Sequence, residues 1–153
     1  MTKSGSHDEP RRLLIILGMH RSGTSTLAQA LARAGAPMGD RLMREAAPDN
    51  AEGYWEDADI VALQQGFLTA VGCPGHDPAA IGADAGRWKT HEAYAPTLAA
   101  MADILRRRFG DRRLFAFKDP RSPALLGLWR EASAIVGCEL HFTLAIRRPG
   151  DVA

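Results

Sequence analysis

The chain has 153 residues, 46% hydrophobic and 24% charged, the makeup of one ordinary globular domain with a real core, which excludes a disordered chain or a membrane protein. Nineteen basic against eighteen acidic residues leave a formal charge of +1, so general affinity for nucleic acid is not expected and any anion site has to be local. Cys73 and Cys138 lack the paired spacing of a zinc site or a disulfide framework and suit a reducing cytoplasm.

Residues 1–10 are polar and read as a disordered tail. The apolar run 13–17 that follows is too short for a signal peptide or a membrane anchor. It is continuous rather than alternating, as expected for a parallel strand buried on both faces. A turn leads into a helix in which Leu27, Ala28, Leu31 and Ala34 recur at helical spacing until Gly35 and Pro37 stop it. Residues 37–53 hold several turn formers and read as a long loop containing about one helical turn. From Glu56, the pattern Ile60, Leu63, Phe67, Leu68 and Val71 predicts a second helix, and 75–86 is a second irregular stretch. Residues 94–109 predict an amphipathic helix whose Arg106, Arg107 and Arg108 form a solvated end matched to the helix dipole. A buried strand at 114–117, a helix over 123–135 and a third strand at 140–146 complete the series. Strands alternating with helices predict an α/β fold, a parallel β-sheet flanked by helices.

The chemistry is concentrated at the first turn. Residues 18–25 join a buried strand to a helix, so the first helical amides point at the turn. Gly18 and Gly23 let the backbone curl towards an oxyanion and have the spacing of a Walker loop. A Walker loop needs lysine after its second glycine, and Thr24 stands there instead. The cation is Arg21, which can clamp a sulfonate or phosphate with two parallel hydrogen bonds, while Thr24 and Ser25 supply hydroxyls. The bland reading makes the two glycines a tight turn only.

The segment Arg21-Ser22-Gly23-Thr24-Ser25 is similar to the 5′-phosphosulfate loop of P-loop sulfotransferases, where a basic residue is followed by Ser-Gly-Thr and then Ser or Thr. Residues 146–153 resemble that family's 3′-phosphate motif, with Arg147 in the place of the phosphate-binding arginine. Lys118-Asp119-Pro120-Arg121 looks like the Lys-Asp-Pro segment of tyrosylprotein sulfotransferases, whose lysine contacts the transferring group; it also reads as a solvated strand end. The resemblance implies residues 11–153 are a partial nucleotide-binding domain, truncated at the C-terminus, that takes 3′-phosphoadenosine 5′-phosphosulfate as co-substrate. It implies transfer of a sulfuryl group to a hydroxyl or amine acceptor whose identity the sequence does not give, with no metal needed. On this reading His20, Arg21, Ser22, Gly23, Thr24, Ser25 and Arg147 bind the nucleotide, while Arg21 and Lys118 stabilise the transferring group. Glu56, next to Gly53-Tyr54-Trp55, is a candidate general base, although Glu56, Asp57 and Asp59 also suit a helix N-terminus. Two other readings stand beside it. One is a nucleotide kinase with Asp119 as a Mg²⁺ carboxylate, and the other is a noncatalytic anion-binding domain.

Overall fold

The computed structural model describes residues 9–19, 21–43, 53–73 and 85–148. Three strands, β1 (Arg11–Leu17), β2 (Leu114–Lys118) and β3 (Cys138–Leu144), form a parallel sheet in the order β2-β1-β3. Among the described residues four α-helices flank it: α1 (Thr24–Arg33), α2 (Ala58–Ala70), α3 (Tyr94–Phe109) and α4 (Leu126–Val136). Short 3-10 turns lie at Ala85–Trp88 and Ser122–Leu125. The expected α/β architecture is present. No helix among the described residues is long and apolar enough to cross a membrane.

β1 is hydrogen-bonded along both edges, and its side chains alternate between two cores. Leu13 and Ile15 join Phe115 and Phe117 of β2 in the larger core, against Phe67 and Leu68 of α2, Met101 and Leu105 of α3, and Trp129 of α4. Leu14 and Ile16 face the other way, with Ala116 of β2, Ala28 and Leu31 of α1, and Met38. A strand covered on both faces has no position left for a polar residue, which is why 13–17 is apolar without alternation. Gln64 of α2 is fully buried, and its Oε1 accepts from Ser122 Oγ at 3.2 Å and Trp129 Nε1 at 3.0 Å, tying α2 to α4 and the turn before it.

Helix and strand boundaries follow local chemistry. Pro123 sits at the start of the Ser122–Leu125 turn, so the helix expected over 123–135 opens in 3-10 geometry before α4 begins. Gly137 closes α4 with φ 71°, ψ 43° and turns the chain directly into β3, which therefore starts two residues earlier than 140. β3 is an edge strand with Phe142 and Leu144 exposed.

The arginine triplet at the end of α3 needs a correction. Arg106 and Arg107 are exposed as expected, but Arg108 is 5% exposed. It lies on the inward face of the last turn, where the carboxylates at the start of α2 pair with it. Sequence spacing alone could not separate it from its two neighbours. The helical turn expected within 37–53 falls largely on residues 44–52, which lie outside the described residues.

Candidate functional site

Parallel strands emerge on one edge of a sheet, and here that edge gathers the three segments singled out in the sequence. Ile16 is paired with Lys118 across β1 and β2, and Leu17 with Leu144 across β1 and β3. The alignment runs one step further, since the Ala145 amide donates to the Leu17 carbonyl at 2.9 Å. Loop 18–25, Lys118-Asp119 and Arg147 therefore leave the same edge, where ligands of α/β sheets collect.

The loop turns tightly over the end of β1. A Cβ on Gly18 would lie 2.6 Å from Thr24 Cγ2, 2.8 Å from Ser22 Oγ and 2.9 Å from the Ala145 carbonyl oxygen, so no other residue fits. Ser22 donates both its amide, at 3.2 Å, and its hydroxyl, at 2.6 Å, to the Met19 carbonyl. Both donors of Ser22, one of the expected nucleotide-binding residues, are engaged in closing the turn. Gly23, with φ 90°, ψ 13°, is the N-cap of α1 and has no side chain to satisfy the helix. The first turn of α1 has no acidic residue, and its first α-helical bond is Leu27 N–H to the Gly23 carbonyl at 3.0 Å. Among the described residues the amides of Thr24, Ser25 and Thr26 have no backbone acceptor, as is usual for the first amides of a helix, and amides so placed can donate to an anion. Thr24 is buried and Ser25 partly exposed.

Arg21 is exposed, with φ 61°, and its guanidinium has no partner among the described residues. Arg147, also exposed, donates from Nη1 to the Arg21 carbonyl at 3.2 Å. Two of the expected ligands are therefore brought together, although 126 positions apart. His20 lies outside the described residues, as do 149–153 of the 3′-phosphate motif.

Lys118 is not a solvated strand end. As the register partner of Ile16 it faces the α1 side of the sheet, and its side chain is 6% exposed. Nζ donates to the Tyr54 carbonyl at 3.0 Å and to Glu56 Oε1 at 2.5 Å. Glu56 is held by more than that pair. An antiparallel bridge joins Leu42 to Asp57, with the Met43 amide on the Glu56 carbonyl and the Ala58 amide on the Arg41 carbonyl, both at 2.8 Å. Between Tyr54 and Glu56 stands Trp55, with φ 56°. Arg21 and Trp55 are the two non-glycine residues with positive φ among the described residues, and both flank this edge. Each such conformation costs roughly 1–3 kcal/mol, and such residues cluster at functional sites.

Asp119 is 1% exposed, and its Oδ1 accepts from the Arg121 amide at 2.8 Å and from Arg121 Nη1 at 2.9 Å. Arg121 is fixed in turn by Gln65 Oε1 at 3.0 Å from Nε. The carboxylate that a kinase reading assigns to Mg²⁺ is thus paired with a guanidinium through Oδ1, while its buried Oδ2 has no hydrogen-bond partner among the described residues.

The start of α2 carries a cluster the sequence reading undervalued. Asp57 is the N-cap: its Oδ1 accepts from the amides of Asp59 at 3.0 Å and Ile60 at 3.4 Å. Arg108 donates to both Asp57 oxygens, at 2.7 and 3.0 Å, and pairs with Asp59 through Nη2. The hydrogen bond to Asp57, seconded by Asp59, holds the Arg108 pKa above its ordinary value although burial opposes it. Aspartate one residue before a helical apolar pattern is a readable cap signal; its partner 51 residues away is not.

The chain matches no family model, no curated protein and no solved structure.

Proposed function

We propose that this chain is a sulfotransferase of P-loop type that binds 3′-phosphoadenosine 5′-phosphosulfate over loop 18–25 and transfers its sulfuryl group to a hydroxyl or amine acceptor. One observation carries the reading: the loop, Lys118 and Arg147 meet at one edge of the sheet, around a helix start that has neither a side-chain cap nor an acidic first turn. The first amides of α1 and the Arg21 guanidinium would take the 5′-phosphosulfate, with Thr24 and Ser25 offering hydroxyls and Arg147 answering the 3′-phosphate. In the transfer, an acceptor oxygen or nitrogen forms the new bond to sulfur. The bond from sulfur to the bridging phosphate oxygen breaks, and adenosine 3′,5′-bisphosphate leaves with that electron pair. The acceptor proton goes to a base, the role the sequence offered to Glu56. Charge grows on the bridging oxygen, where the loop amides, Arg21 and Lys118 supply stabilisation.

A kinase reading is less well supported, because Thr24 stands where the Walker lysine belongs and Asp119 is paired with Arg121. Calorimetry separates the two. Adenosine 3′,5′-bisphosphate is expected to bind without a metal, and Arg21→Ala to weaken it by about tenfold or more, the worth of a charge-assisted hydrogen bond. Binding of ATP with Mg²⁺ but not of the bisphosphate would sink the proposal. Binding of the bisphosphate with no transfer to any of a broad acceptor panel would favour a noncatalytic anion-binding domain.

A further inference from the structure

The ammonium expected to meet the transferring group is already engaged. Lys118 Nζ sits between the Tyr54 carbonyl and the Glu56 carboxylate, and both of these hydrogen-bond partners, the two found among the described residues, come from the strained segment around Trp55. Both side chains of the ion pair are almost wholly buried, at 6% and 10% exposure. Breaking a buried pair leaves an uncompensated charge, so Lys118 leaves Glu56 only if another anion replaces it. The register places Lys118 beside Ile16, two residues before Gly18, on the face that α1 covers. An anion seated at the start of α1 is the replacement within reach.

We propose that Glu56 is the displaceable counter-ion of Lys118: it stores the ammonium at the edge of the sheet and surrenders it when a polyanion occupies loop 18–25. Glu56 is then a positioning residue that acts through Lys118, and the strained turn at Trp55 is the element that relaxes when the pair opens. This inference rests on the anion site assigned above but not on the identity of the nucleotide. A general base would behave differently, because its loss stops transfer and leaves ground-state binding of the nucleotide unchanged.

The test is a double-mutant cycle read by calorimetry, with adenosine 3′,5′-bisphosphate and inorganic pyrophosphate as probes. Glu56→Gln keeps an acceptor for the lysine but leaves its buried charge uncompensated, so it is expected to melt below the parent temperature, and affinity is read well below that transition. The variant should bind the anion about tenfold more tightly, because no competing charge has to be displaced. Lys118→Gln keeps a donor for Tyr54 and Glu56 while removing the charge, and in that background Glu56→Gln should change affinity by less than about twofold. Equal tightening in both backgrounds means simple repulsion between Glu56 and the anion and overturns the proposal. Unchanged or weaker binding by Glu56→Gln also overturns it. If pyrophosphate binds and the bisphosphate does not, the sulfotransferase reading fails, while the same cycle run with pyrophosphate still decides the role of Glu56. If neither anion binds the parent, both readings fall.

Discussion

The N-termini of α1 and α2 face the same physical problem and solve it in opposite ways. Each leaves backbone amides without helical partners and a partial positive charge. At α2 the chain brings its own anions: Asp57 caps the amides, Asp59 lies in the first turn, and Arg108 neutralises both from α3. At α1 the cap is a glycine, no carboxylate follows, and the nearest charged side chain in the loop is a cation, Arg21. On the proposed reading, the difference separates a helix start built for stability from one left open to a ligand. Arg21 at φ 61° carries a conformational cost that Gly23, at φ 90°, does not.

The closed end should therefore fail by unfolding. Arg108→Ala leaves buried Asp57 with its cap hydrogen bonds but no counter-charge, and the expected loss is about 3–5 kcal/mol, read as a shift of the denaturant midpoint. A loss within the range of a surface substitution would mean that water reaches the cluster and that α2 is not closed in the sense argued. The open end should fail by losing its ligand while the fold gains. Thr26 is exposed in the first turn of α1. Thr26→Glu supplies the missing anion, so the helix should gain about 0.3–1 kcal/mol while anion affinity falls by about tenfold. If melting temperature and affinity both rise, the amides of α1 are not the binding donors.

The smallest effect lies away from both ends. Lys89 Nζ is 2.8 Å from Glu131 Oε1, and its hydrogen bond holds the Glu131 carboxyl below the ordinary carboxylate range, against an opposing effect of burial. A depressed pKa stabilises the fold above the unfolded-state value, and that contribution disappears as pH falls through the folded-state value. Glu131→Gln should flatten the acid limb of the stability profile by no more than about 1 kcal/mol, since both side chains are more than a third exposed. A large flattening would show that this pair is worth more than partly exposed ion pairs usually are.

How much of this was legible in advance depended on the range of the interaction. The sequence determined what is local. A continuous apolar run before a glycine gave β1, and periodicity gave α3 with its ends at Tyr94 and Phe109. The motif residues at the ends of the strands were readable too, because each sits beside its own strand in the chain. Tertiary structure decided everything that needed a partner from far along the chain. Only the parallel register sets Lys118 beside Ile16 at the end of β1 and Arg147 on the Arg21 carbonyl. Only the packing of α3 against α2 distinguishes buried Arg108 from exposed Arg106 and Arg107. Periodicity reports which face of an element avoids water, whereas charge pairing depends on which two faces meet, and that meeting exists only once the chain has folded.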